Sequence, residues 1–515
     1  MLIFFLTVAN IFAQKRTLKQ AEINYKAGYY FKALQLYTEV LAQNPDNHDA
    51  RYKECICQYQ LSRFEDAQSC FQYLLAHTDK YPISLNYFLA KTFRSENDLD
   101  SAVFYFSKYI VLLEKTSPNS KAMKDAIKEY EATVKAKEQI AKESKVEVHS
   151  LGPKINTKYP DYAPLLTADE KTLIFTSCRP ETKGGIIEDN DGRYHEDIYI
   201  SYYNDSLKEW SQGKQIDQIN TGSNDAAVFL SPDGQRMIIY RHDPYNHLDQ
   251  NAGDLYMTEL KDGIWSEPAS IAEINSEYWE SSATMSEDEK VLVFASNRPS
   301  GFGGQDLYIS RKDDTGKWSI PINLARINTP YDEDSPFLHS DGKTLYFSSK
   351  GFSGIGGYDV FYTVFDLEKN TWSTPVHLPF PISTPNDDLY ISWNISGRTA
   401  YISTLWHGGA GDKDIYRVEF PRDQTKIVLV HGTVKDSSQV VKEAKVVVRN
   451  LDTKLVEVYN SDDDGAFKLI LEENGKYIIE VNKEGYLPFT QFIDLKLKSQ
   501  YQKIENETIL LHKQK

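Results

Sequence analysis

Cysteine is scarce, with four residues in a chain of 515, too few to set the architecture, so apolar cores must carry it. A basic surplus is also lacking. The formal net charge is −16, and no Lys/Arg stripe interrupts the acidity, which disfavours a nucleic-acid partner because phosphate binding needs basic surface. Low-complexity sequence is missing, so the chain reads as folded modules rather than a disordered tether. Catalytic signatures are missing as well. There is no G-x-S-x-G elbow, and the eleven histidines show no H-E-x-x-H or comparable metal spacing. His407-Gly408-Gly409-Ala410-Gly411 has the look of an oxyanion-hole loop but no nucleophile to serve. Nothing nominates a catalytic residue or a bound cofactor.

What is present is organised in segments. Residues 15–145 carry 20 Lys+Arg against 17 Asp+Glu, residues 426–515 carry 14 against 14, and the stretch between carries 24 against 43. The acidity therefore belongs to the central segment. At the N-terminus, Leu2 to Ala13 is an apolar run ending in Ala13-Gln14 before Lys15-Arg16. It has the length of a signal peptide, assigned to residues 1–14, and is too short to span a bilayer. The expectation is an exported protein, periplasmic or outer-membrane-associated. No cysteine stands at the cleavage site to carry a lipid anchor.

The central segment is a repeat. Tyr331 to Thr384 contains an acidic tip, a short strand to Phe337, the turn Ser340-Asp341-Gly342-Lys343, an alternating strand Thr344 to Ser348, a Gly-rich loop, the strand Asp359 to Thr363 and a fourth strand after Trp372. The turn recurs at Ala168-Asp169-Glu170-Lys171, Pro232-Asp233-Gly234-Gln235, Glu287-Asp288-Glu289-Lys290 and Ser396-Gly397-Arg398. The third strand recurs at Asp197, Asp254, Asp306 and Asp414, each followed by an aliphatic residue and Tyr. The last copy stops at Phe420-Pro421, one strand short, while an unmatched strand and Ile155-Asn156-Thr157 stand alone before the first copy. A circular sheet closed by a strand from about residue 146 explains both, because closure leaves no unpaired edge. The expectation over 146–425 is a five-bladed β-propeller.

Within a helical segment assigned to 15–145, residues from about 17 to 110 show helical periodicity with a longer period over it. Ala33 and Tyr37 recur as Ala67 and Phe71, then as Ala102 and Phe106, with Ala21, Cys55 and Ala90 on the preceding helices. This resembles the tetratricopeptide repeat, without its early Trp and with most terminal Pro residues absent, followed by a lysine-rich capping helix. Such arrays stack into a concave surface that receives a partner segment. Tyr25, Tyr52, Tyr59 and Tyr87 are placed either to line it or to pack between helices. Three cysteines fall here, and a bridge from Cys55 or Cys57 to Cys70 stands beside plain core packing. Residues 426–515 read as alternating strands, with landmarks Val430 to Val434, Ala444 to Val448, Asp464 to Leu469 and Tyr477 to Tyr486. They resemble the carboxypeptidase regulatory-like domain, a transthyretin-like β-sandwich without catalytic residues.

Aligning the five copies places Asp161, Asp225, Glu280, Glu333 and Asp388 at one equivalent position. Five carboxylates around one axis read either as a site for Ca2+ or a basic ligand, or as acceptors for loop backbone that end each blade. The third-strand Asp residues read as holders of the preceding loop. Glu188-Asp189-Asn190-Asp191-Gly192 lacks EF-hand ligand spacing and reads as a solvated loop, and Asp462-Asp463-Asp464-Gly465 as a turn.

The order of modules, together with Ser231-Pro232-Asp233-Gly234 and Ser296-Asn297-Arg298-Pro299, resembles the multidomain OmpA-family, PorE-like envelope proteins of Bacteroidetes, with TolB-like PD40 (WD40-like) blades. The resemblance implies a non-enzymatic scaffold binding envelope or type IX secretion proteins through the helical array and propeller, the alternative being a propeller that holds a cation, basic peptide or glycan. The family's OmpA-like peptidoglycan-binding domain has no counterpart after Leu511, so direct peptidoglycan anchoring is not carried over.

Overall fold

The computed structural model describes all residues except 1, 143–144, 186, 243–252, 367–368, 396, 407, 421–426, 452–455, 473–474, 496–503 and 514–515. Ser396, His407 and Pro421 of the sequence analysis lie outside the described residues. The chain begins with seven helices, α1 (Leu2–Lys26), α2 (Tyr30–Gln43), α3 (His48–Gln60), α4 (Phe64–His77), α5 (Leu85–Ser95), α6 (Leu99–Thr116) and α7 (Lys121–Ile140). Residues four apart share a helix face. The pairs Ala33/Tyr37, Ala67/Phe71 and Ala102/Phe106 therefore point inward together, and all six are fully buried, as are Ala21, Cys55 and Ala90. Asn47, Asp98 and Ser120 cap α3, α6 and α7 by accepting the amides of Ala50, Ser101 and Met123. Cys55 on α3 is disulfide-bonded to Cys70 on α4, while Cys57 and Cys178 are free and buried. No helix among the described residues is long and apolar enough to cross a membrane.

Five antiparallel sheets follow, each starting with its innermost strand: Asp161–Leu166, Asp225–Leu230, Glu280–Met285, Glu333–Leu338 and Leu389–Trp393. Each innermost strand packs beside the next, and the fifth returns to the first. The hairpin turn that joins each to the second strand of its sheet has a left-handed residue, at Glu170, Gly234, Glu289, Gly342 and Gly397. Glycine adopts that conformation without cost, and the two glutamates are tethered there. Glu170 accepts from Asn394 and Tyr401 of the fifth sheet, and Glu289 pairs with Arg236 of the second.

The fifth sheet has three consecutive strands, and its outer strand is Glu147–Ser150, paired antiparallel to Asp414–Glu419 with Val148 opposite Val418. One residue pins this closure. Asn156 accepts the amide of Ile415 and donates to its carbonyl, both at 2.9 Å. Asn220 makes the same two bonds to Ile198, Asn275 to Leu255 and Asn328 to Leu307. The asparagine before the first sheet thus does for the fifth what later copies do within consecutive sequence.

The C-terminal strands form a three-stranded sheet, in which Ile427–Lys435 lies between Ala466–Glu472 and Ile504–Leu510, and a four-stranded sheet of Val456–Asn460, Lys445–Asn450, Lys476–Asn482 and Phe489–Asp494. Alternate residues Val446, Val448, Leu469, Ile479 and Val481 are buried in one core between them.

The helical array is docked on the ring. Lys128 sits 4.0 Å over the Tyr331 ring, whose hydroxyl donates to Asp125, and Lys135 donates to the carbonyl of Ser353. Leu99, Ala136 and Ile355 share a small buried cluster. At the other end, the amides of Phe31 and Lys32 on α2 donate to the carbonyls of Asn190 and Asp189.

Two outcomes are expected. Asn156→Ala strands a buried amide and carbonyl, costing about 2–4 kcal/mol, and hydrogen exchange accelerates in Asp414–Glu419 before the other sheets. Replacing Cys55 and Cys70 by Ser releases a loop closed over a 15-residue separation. That costs about 3 kcal/mol in the chain-entropy account, read as a lower urea midpoint, and thiol titration of the denatured wild type finds two free groups before reduction and four after.

Candidate functional site

The five equivalent carboxylates are buried, and each ties the segment leaving one sheet to the strand that opens the next. Asp161 accepts the Thr157 amide at 2.7 Å and its hydroxyl at 2.8 Å. Thr221 does the same for Asp225, Ser276 for Glu280, Thr329 for Glu333 and Thr384 for Asp388. The backbone of the same residues reaches the preceding sheet, with the amides of Asp161, Asp225, Glu333 and Asp388 donating to the carbonyls of Lys413, Glu196, Gln305 and Tyr358. The five side chains are therefore spent on loop backbone and hydroxyls, and none of them borders the axial cavity.

Their charges are handled unequally. Arg179, Arg241 and Arg298 pair with Asp161, Asp225 and Glu280 at 2.9, 2.6 and 2.9 Å. Each arginine also caps a carbonyl, of Ile155, Ile219 and Ile274. Among the described residues Glu333 receives hydroxyl and amide donors, including Ser349 at 2.6 Å, and no cation. Burial pushes it up to about 7, and burial holds Asp388 well above the usual carboxylate range.

The third-strand aspartates cradle the loop before them. Asp306 accepts the amides of Phe302 and Gly303, Asp359 those of Ile355 and Gly356, Asp197 that of Lys183 and Asp414 that of Ala410. In the C-terminal turn Asp462 accepts the amides of Asp464 and Ala466.

The acidic insertion differs from the solvated loop expected of it. Glu188 accepts from Asn224 and lies 3.4 Å from His195, and Asp191 accepts the Arg193 amide. Its tip carries the α2 contacts. Gly192 has φ of +73°, and a Cβ there would lie 2.4 Å from the Phe31 ring, so glycine is required for the helix to approach. The reason is local: the loop gains partners from two sheets and the array at once.

The space on the ring axis is a cavity of about 380 Å3. Its wall includes Tyr162, Ala226, Ser281, Asp334 and Leu389, the residues that follow the five carboxylates. Successive side chains on a strand point to opposite sides. The sequence pattern was therefore one residue away from the axis. Every innermost strand also carries a register shift just past this point, with left-handed residues at Ala163, Ser335 and Tyr390. Glu188, Asp191, Arg193 and Glu196 from the insertion, with Trp279, Tyr358 and Cys178, complete much of the wall. Burial pushes the Cys178 thiol well above its ordinary range. Among the described residues, no three His, Cys, Asp or Glu side chains are grouped to hold a metal ion.

On the array, the tyrosines pack between helices. Tyr52 is buried with its hydroxyl 2.7 Å from Ser84, Tyr59 lies against Phe64 and Phe88, Tyr87 against Phe106 and Tyr109, and Tyr25 against Tyr30 and Tyr37.

The tetratricopeptide repeat family matches residues 25–91, and the carboxypeptidase regulatory-like domain matches residues 430–504. No curated protein matches the chain. Among solved structures, the chain is similar to a GH32 beta-fructofuranosidase of Bombyx mori, at 11% identity over 73% of this chain and 90% of that one, TM-score 0.34. It is similar to an alpha-L-arabinofuranosidase from Lactobacillus brevis, at 13% over 53% and 94%, TM-score 0.32. A sucrose-6-phosphate hydrolase from Lactobacillus gasseri gives 13% over 71% and 84%, TM-score 0.34. Likeness at this level establishes no activity for this chain.

A carboxylate held above its unfolded value binds its proton more tightly in the folded state. Its contribution is full below about pH 4.3 and is lost as pH rises through the folded value. For Glu333 that value is about 7. Glu333→Gln is expected to flatten the fall in stability between about pH 4.5 and 7, a difference of about 3 kcal/mol at neutral pH, measured by urea unfolding of both proteins across that range.

Proposed function

We propose that this protein is a non-enzymatic scaffold of the cell envelope, periplasmic or outer-membrane-associated, in an assembly related to type IX secretion. In this reading the ring is a five-bladed propeller of the TolB-like PD40 class, and the chain is organised like the OmpA-family, PorE-like proteins. The observation that carries the reading is the docking of a tetratricopeptide array onto the ring through both of its ends, at Phe31/Lys32 and at Lys128/Lys135. Two surfaces of the kind that receive protein segments are thereby held in a fixed relation.

Two further features support it. The Cys55–Cys70 bridge suits an oxidising compartment, as export requires. Phe104, 60% exposed on α6, and exposed Val111 one heptad later leave apolar surface on the array outside its core. The second reading, a ring that holds a small ligand, is favoured by the axial cavity.

A photo-reactive benzoyl-phenylalanine at position 104 or 111 of the full chain, activated in intact cells, is expected to give adducts containing type IX secretion or outer-membrane components, identified by mass spectrometry. If no envelope protein is enriched over a non-irradiated control, the scaffold reading fails.

A further inference from the structure

We propose that the axial cavity is a recognition site for one cationic side chain, the ammonium or guanidinium group of a lysine or arginine in an extended peptide, with Asp334 and Glu196 receiving the charge and the surrounding rings receiving the stem. The inference rests on the cavity alone and is independent of the scaffold reading.

The size fits. About 380 Å3 lies at the low end of the roughly 300–1,000 Å3 of small-ligand sites, enough for a side chain and not for a folded element. The wall carries four carboxylates, Glu188, Asp191, Glu196 and Asp334, against Arg193 and His242. Arg193 is already engaged by Asp412 and lies 3.8 Å from Asp191, so its charge is matched. Low-dielectric walls of one sign focus attraction for the opposite charge.

Asp334 is the best-placed acceptor. Among the described residues its three hydrogen bonds, from the hydroxyls of Ser281 and Ser282 and the amide of Ser335, all fall on Oδ1. Its orientation is thus fixed while Oδ2 has no donor among the described residues. Glu196 is held by its own amide on Asn224 Oδ1, and its carbonyl accepts the Asp225 amide. Burial raises both carboxyls above their ordinary range, so a cation placed beside them would offset their desolvation.

The rest of the wall suits an aliphatic stem ending in a cation. Tyr162, Tyr194, Tyr240, Tyr358, Tyr390 and Trp279 border the space, and aromatic faces attract ammonium and guanidinium groups. Among the described residues the indole Nε1 of Trp279 is buried without an acceptor, a donor available to a peptide carbonyl. Left-handed backbone at Ala163, Ser335 and Tyr390 turns these strands at the cavity wall, and such strained positions cluster where ligands are clamped.

The test uses the full chain and calorimetric titration with Nα-acetyl-lysine amide and Nα-acetyl-arginine amide, beside Nα-acetyl-norleucine amide, calcium chloride and an N-acetylglucosamine disaccharide. At least one basic amide is expected to bind, at least tenfold more tightly than the norleucine amide, and to raise Tm. Asp334→Asn and Glu196→Gln, both isosteric, are each expected to weaken that binding about tenfold or more, while Asp463→Asn in the exposed C-terminal turn leaves it unchanged. Equal binding of the norleucine amide, no binding of either basic amide, or unaltered binding in both cavity variants overturns the proposal. Binding of calcium or the disaccharide with the basic amides inert also overturns it and assigns the cavity to that ligand.

Discussion

A carboxylate taking both the amide and the hydroxyl of a Thr or Ser four residues earlier is the joint on which the ring depends. It is made five times, and at each joint the strand that opens a sheet is fixed to the segment that leaves the previous one. Charge-assisted bonds of this kind contribute about 1.5–3 kcal/mol each, but only where desolvation of the carboxylate is offset. Three sheets offset it with an arginine that also reaches a carbonyl. Among the described residues the fourth and fifth do without, and in the fourth the Ser349 hydroxyl takes up part of the deficit. The joint is the same while its electrostatic solution varies.

The asparagine that follows the last isoleucine adds a second, uncharged tie at four of the five sheets, bonding both backbone groups of the strand beside it, while Ser383 takes its place at the fourth and accepts the Val360 amide. Because the first asparagine precedes the first sheet, closure occurs between residues 259 apart, Asn156 and Ile415. Non-local pairing of this kind carries a large loop-closure cost and slows folding. The array rests on Tyr331 and on the 188–193 insertion.

Much of this was legible in the sequence because repeats expose roles that single copies hide. Five turns, five third-strand aspartates and the displaced Ile155-Asn156-Thr157 specified the sheets and the strand that completes the fifth, and Ala33/Tyr37 with their echoes specified the helical core. The cavity was harder to see. Repeat-wide residues such as Asp161 and Glu333 face the joints, whereas the axial residues one position on, Tyr162, Ala226, Ser281, Asp334 and Leu389, differ in every copy and so leave no repeat signal. The three arginines were hidden for a related reason, since only three of five sheets use them. The choice of Cys55 over Cys57 as the partner of Cys70 depends on which face of α3 meets α4, which spacing alone left open.

The insertion from Glu188 to Glu196 belongs to two surfaces at once. Its outer side carries the backbone amides of Phe31 and Lys32 and accepts the Phe31 ring against Gly192, while its inner side supplies Asn190, Asp191 and Glu196 to the cavity wall. The two sides are faces of one short loop. A ligand that shifts the backbone at Asn190 and Asp191 would therefore bear on the seat of the first helix pair, and by thermodynamic reciprocity any such coupling acts equally in both directions.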